Sequence, residues 1–138
     1  MTTHTSETVF NGGMQFTSDI GGHKIVMDAG PDDGGHDSGA SPKKLMLASL
    51  AGCTGIDIVS ILNKMRVTFS EFTIKVEAEL TEHHPRIYDK VKLIYTIKVD
   101  EHDKAKMEKA VLLSQEKFCG VSAMFKHFAE VKWGVHYL

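Results

Sequence analysis

From Pro42 to about Met65 the chain has no internal proline, and Leu45, Met46, Leu47, Leu50, Ile56, Ile58, Val59, Ile61, Leu62 and Met65 fall on nearly every face of a helix. A helix that is apolar all round must be covered all round. The chain has 138 residues, one body that buries roughly 68–70% of the surface exposed by its unfolded form. That is too little to wrap so long a helix alone, so a second copy is expected to supply part of the cover. Ser41 can cap the helix and Pro42 can occupy its first position. Gly52 and Gly55 each weaken it by about 1 kcal/mol relative to alanine, a cost best explained by another backbone or helix packing closely there. Ser49, Thr54, Asp57 and Ser60 interrupt the apolar run, so it reads as a buried helix and not as a membrane span.

The flanking segments have strand patterns. Glu7 to Phe10, Met14 to Ser18 and His23 to Asp28 are separated by Asn11-Gly12-Gly13 and Gly21-Gly22, which predicts a three-stranded meander. Ala29 to Ser41 is a Gly, Asp and Ser-rich loop. It lacks the lysine and hydroxyl of a phosphate-cradling loop, so it reads as a flexible interface or lid segment. Phe72 to Leu80 and Val91 to Val99 alternate apolar and polar residues across a His83-His84-Pro85-Arg86 turn and should pair as a hairpin. Asp100, with Asp103 three residues on, can cap a second helix that carries Met107, Val111 and Leu112 toward Phe118. A break at Cys119-Gly120, a short helix from Val121 to Phe128 and a last strand from Val131 to Tyr137 complete the order βββ-α-ββ-α-α-β. The expected class is α+β, a single domain over residues 1–138 with a long buried central helix wrapped by antiparallel sheet.

Composition narrows the function. Apolar residues are 42%, charged residues 25% and the formal charge is -2, so there is no basic excess to neutralise phosphates and no nucleic-acid partner is expected. The N-terminal ten residues lack the basic start and apolar run of a secretory signal, which points to the cytoplasm. Two cysteines in a reducing compartment are catalytic, sensing or core thiols and not a disulfide framework. His83-His84 has no second ligand pair at metal-binding spacing and reads as a solvated turn, and no metal or cofactor is expected.

Cys53 sits within the apolar helix and Cys119 at the start of another, so only tertiary folding can join them. One reading makes both small core residues. The other makes them a redox pair, in which the thiolate is the reactive form. Backbone N–H groups at a helix start favour ionisation of Cys119, whereas Asp57, one turn after Cys53, opposes that of Cys53. Local electrostatics therefore nominates Cys119 as the more acidic thiol.

Ser41-Pro42-Lys43-Lys44-Leu45 followed by Ala48-Ser49-Leu50-Ala51-Gly52-Cys53 resembles the central-helix motif of the OsmC/Ohr family, the osmotically inducible and organic hydroperoxide resistance proteins. Cys119-Gly120-Val121-Ser122 resembles its second cysteine motif, and the element order matches over essentially the whole chain. The resemblance implies an intertwined homodimer whose two central helices are wrapped by sheets. It also implies a thiol-dependent peroxidase for oxidative-stress defence, with Cys53 attacking the peroxide and Cys119 resolving the sulfenic acid as a disulfide. Peroxide is then the substrate and an external dithiol the reductant. Family peroxidases are similar in holding an N-terminal arginine with a glutamate just after the helix-opening proline. Here Lys43 and Lys44 take that place and no arginine precedes Arg66, which leaves Lys24, His23, His36, Lys43 and Lys44 as the cations available to a thiolate. The alternatives are a non-catalytic binding protein using an apolar interface cleft, and a redox sensor.

Overall fold

The computed structural model describes all residues 1–138, grouped into two compact units, Met1–Met46 and Leu47–Leu138. In the first unit, β1 (Glu7–Gly12), β2 (Gln15–Ile20) and β3 (His23–Met27) form an antiparallel meander in the order β1-β2-β3. Ile20 faces His23 across a two-residue turn whose Gly21 and Gly22 have φ of 58° and 86°, a backbone that glycine adopts without strain.

The loop after β3 is pinned and not loose. The buried Asp28 carboxylate accepts from the backbone N–H groups of Ala29 (2.7 Å), His36 (3.2 Å) and Ser38 (3.1 Å) and from the Ser38 hydroxyl (2.5 Å). The Ser38 hydroxyl, then its N–H, hold the Asp28 carboxyl down to about 2. The fold over the carboxylate is tight: a Cβ on Gly35 would lie 2.0 Å from the Ala29 carbonyl oxygen, and one on Gly39 would lie 2.6 Å from that of Val26.

Helix α1 (Pro42–Lys64) begins where expected, with the Ser41 carbonyl accepting from the Leu45 N–H. It ends at Arg66, whose φ of 59° lets the Val67 N–H reach back to the Leu62 carbonyl at 2.9 Å, as glycine-closed helices commonly do. Leu50, Thr54, Ile58 and Leu62 recur at every fourth position and are fully buried. Each apolar member of that stripe contributes about 1.5–3 kcal/mol by leaving water. The rest of the helix is not covered by its own chain: Ile56 is 74% exposed and Met46 44%. Within a single chain, then, one stripe of the helix is fully buried. α1 is long and apolar enough to cross a membrane, and its buried stripe marks it as a core helix of this fold.

Within the second unit β4 (Phe69–Leu80) pairs antiparallel with β5 (Tyr88–Val99), as the alternation predicts, with a bulge near Glu71. Val91, Leu93, Tyr95 and Ile97 of β5 point into the core with Met107, Ala110, Val111 and Phe125. The last strand, β6 (Glu130–Tyr137), pairs with β5 in parallel. The sheet is thus mixed where an antiparallel one was expected. The cause is the helical connection, which carries the chain back to the start of β5 before β6 begins. That connection comprises a 3₁₀ turn (Glu101–Asp103), α2 (Lys104–Leu113), a π-helical turn (Ser114–Phe118) and α3 (Gly120–Lys126). Asp100 makes no side-chain cap, and the Asp103 carboxylate instead lies 3.5 Å from the Lys106 ammonium.

Candidate functional site

The break between the π-helical turn and α3 falls on Cys119, whose φ of -77° and ψ of 102° are extended. Its sulfur caps α3 by accepting from the Ser122 N–H at 3.3 Å. Only 3% of Cys119 is exposed, whereas Cys53 on α1 is half-buried, and both thiols are free. The two are side-chain neighbours. Burial pushes the Cys119 thiol up to about 11; the Ser122 N–H opposes this, while hydrogen bonding and charge from Cys53 and then the Asp57 carboxylate reinforce it. The sequence argument that the helix start favours ionisation of Cys119 is therefore overturned. One N–H at the cap does not offset removal of the sulfur from water.

Beside the thiols runs a buried polar chain that the sequence reading missed. The Ser114 hydroxyl donates to Asp57 Oδ2 at 3.0 Å. A serine has one hydroxyl proton, so Thr54 Oγ1 must donate to Ser114 Oγ (2.7 Å), and Tyr95 Oη to Thr54 Oγ1 (2.8 Å). Gln115 Nε2 then donates to Tyr95 Oη at 2.8 Å and lies 3.4 Å from Thr54 Oγ1. Gln115 Oε1 accepts from the Ser122 hydroxyl at 2.6 Å. Burial pushes the Tyr95 phenol above its ordinary value, so it remains a donor. Every buried side-chain polar atom is partnered. Lys126 adds a bond from Nζ to the Gln115 carbonyl at 2.6 Å, closing the widened turn. The legible signal was polar residues on apolar faces: Thr54 interrupts the Leu50, Ile58, Leu62 stripe, and Ser114 and Gln115 continue that of Met107 and Val111.

The five candidate cations all lie in the first unit. Lys24 pairs with Asp19 at 2.7 Å, His23 opens β3 exposed, and His36 gives its backbone N–H to Asp28. Lys43 and Lys44 are exposed in the first turn of α1. The groups that shift Cys119 all belong to the second unit. Gly52 meets nothing within 4 Å, while a Cβ on Gly55 would lie 3.0 Å from Ile74 Cδ1. The neighbour of Gly55 is thus a strand side chain, where another backbone or helix was expected. Both glycines line a largely apolar groove of about 760 Å³ with Ile56, Val59, Phe72 and Ile74. Asp100, His102 and Asp103 gather potential ligand atoms within 4.8 Å, but Asp103 is already engaged by Lys106 and His102.

A family model described as OsmC-like protein matches residues 35–134, which include both cysteines and the polar chain. The chain belongs to the OsmC-like family. It is similar to Protein YhfA of Escherichia coli (strain K12), 33% identical over 105 residues that cover 76% of this chain and 75% of that one. Among solved structures, a hypothetical protein from Aquifex aeolicus VF5 superposes with a TM-score of 0.82 at 28% identity, covering 100% of this chain and 99% of that one. An organic hydroperoxide resistance protein from Elizabethkingia anophelis superposes with a TM-score of 0.71 at 17% identity, covering 100% and 98%. The second likeness is one of fold.

Proposed function

We propose that this chain is a cysteine-based, thiol-dependent reductase of organic hydroperoxides or hydrogen peroxide, acting in oxidative-stress defence in the cytoplasm. The observation that carries the reading is the adjacency of two free thiols of unequal exposure, at the positions of both family cysteine motifs. Cys53, the accessible sulfur, attacks the terminal peroxide oxygen as thiolate. The O–O bond breaks, an alcohol or water leaves with a proton, and Cys53 becomes sulfenic acid. The Cys119 sulfur then attacks the Cys53 sulfur, losing its proton as water departs and an S–S bond forms. An external dithiol reduces that bond by exchange, returning both thiols and leaving as its own disulfide. Burial of Cys119 now favours the same order of roles as the resemblance: the sulfur held protonated waits, and the reachable one reacts. A hydroperoxide resistance protein among the structural neighbours supports this chemistry.

The working unit is proposed to be a homodimer. The apolar groove on α1 and the exposed Phe10, Phe16 and Val26 of the meander are large hydrophobic surfaces that one copy leaves in water. Ile56→Lys places a charge in the groove and is expected to shift sedimentation from dimer to monomer; a wild-type monomer would refute the assembly. The activity is tested by organic-hydroperoxide-dependent oxidation of a dithiol. Cys53→Ser is expected to abolish turnover, and Cys119→Ser to stop after one oxidation of Cys53. No turnover by the wild type would overturn the proposal.

A further inference from the structure

Gln115 is 4% exposed and its side chain touches three elements at once. Its amide nitrogen donates to Tyr95 of β5 and approaches Thr54, the residue after Cys53 on α1. Its amide oxygen accepts from Ser122 of α3, the residue whose N–H holds the Cys119 sulfur. The carbonyl of the same residue is held by Lys126. Each amide end has one assignment, because the Asp57 carboxylate at the far end can only accept and so fixes the polarity of every hydroxyl between. The side chain next to one cysteine and the cap beside the other are thus joined through a single residue. The π-helical turn that carries Gln115 inserts it into the core, and such turns frequently occur at functional sites.

We infer that Gln115 is the positioning residue of the thiol pair, fixing α3 against α1 so that the Cys119 and Cys53 sulfurs meet in bonding register. The inference rests on the reading of the two cysteines as a disulfide-forming pair. It goes beyond that reading by assigning the geometry of the bond to a residue that touches neither substrate nor peroxide. In the relevant step, Cys53 and Cys119 lose two electrons and two protons to glutathione disulfide, giving one intramolecular S–S bond and two glutathione thiols.

The test is the thiol–disulfide equilibrium of the full-length protein in glutathione buffers, which needs no peroxide. The readout is the effective concentration of one thiol toward the other, with folding checked by circular dichroism. Gln115→Leu removes both amide bonds at similar volume and is expected to lower that effective concentration about tenfold or more. Gln115→Glu keeps the acceptor for Ser122 but sets a carboxylate oxygen against the Tyr95 hydroxyl, which needs a donor because its own proton goes to Thr54, and is expected to lower the value about threefold or more. Should Gln115→Leu not fold, Ser122→Ala cuts the same tie on α3 while sparing the N–H to the sulfur, and is expected to lower the value about threefold or more. Unchanged equilibria in the folded variants overturn the positioning role alone. A wild type that forms no Cys53–Cys119 disulfide overturns both the inference and the proposed function.

Discussion

Thr54→Val is the most direct probe of the buried polar chain, because valine copies the shape of threonine and removes only its hydroxyl. Thr54 is fully buried, so no water replaces what is lost. Tyr95 keeps the amide donor of Gln115 but its own proton loses the acceptor that stood 2.8 Å away. Ser114 keeps Asp57 and loses the donor at 2.7 Å. An unsatisfied buried donor costs about 1–3 kcal/mol and an under-used acceptor less, so the substitution should destabilise the fold by about 2–4 kcal/mol. For a chain of this length that corresponds to a fall in Tm of roughly 7–14 °C. Thr54→Ser keeps the hydroxyl and drops a methyl group, which should cost about 1 kcal/mol. The assay is urea unfolding followed by circular dichroism, with protein concentration fixed because association adds to apparent stability. A Thr54→Val protein within about 0.5 kcal/mol of wild type, or no weaker than Thr54→Ser, would refute the claim that these hydroxyls form a connected network.

The Asp28 carboxyl, held down to about 2, contributes stability that is fully present above its ordinary value near 4 and is lost as pH falls toward 2. Stability profiles between pH 2 and 5 should therefore be flatter for Asp28→Asn than for wild type, and parallel profiles would contradict the loop anchor. Cys119, pushed up to about 11, favours the folded state while protonated; this contribution should be full below about pH 8.5 and gone above about pH 11. Brief alkylation of the reduced protein at neutral pH should label Cys53 first, and mass spectrometry showing Cys119 labelled first would reverse the assigned order of roles. Gly35→Ala sets a methyl group 2.0 Å from the Ala29 carbonyl oxygen, so thermal unfolding should reveal a loss of about 2–3 kcal/mol.

The element order could be read from the chain because each segment carries its own period: the alternation of β5, the glycine turns of the meander and the apolar run of α1 are local properties. The parallel pairing of β6 was not legible, since strand direction depends on where the preceding helices deliver the chain. Cys53 and Cys119 stood out as candidates, but the upward push on the Cys119 thiol did not follow from sequence. The helix-start argument sees the N–H groups near Cys119 and not the packing of Phe125 and Tyr95 that removes water from that region. Thr54, Ser114 and Gln115 were visible only as polar interruptions of apolar stripes; the contacts of Thr54 with Tyr95, Ser114 and Gln115 span 41 to 61 positions of the chain, and only tertiary contact reveals them. Which flank of α1 a single chain leaves exposed, that of Met46 and Ile56, was not legible either, because apolar residues fall on nearly every face.

Peptide mapping by mass spectrometry, after treating reduced protein with one equivalent of an organic hydroperoxide and no added thiol, addresses the sulfur chemistry most directly. One peptide pair cross-linked through Cys53 and Cys119 within the same chain is the expected product. Two intact thiols, or Cys53 carried to sulfinic acid while Cys119 stays reduced, would contradict a redox partnership between the two residues.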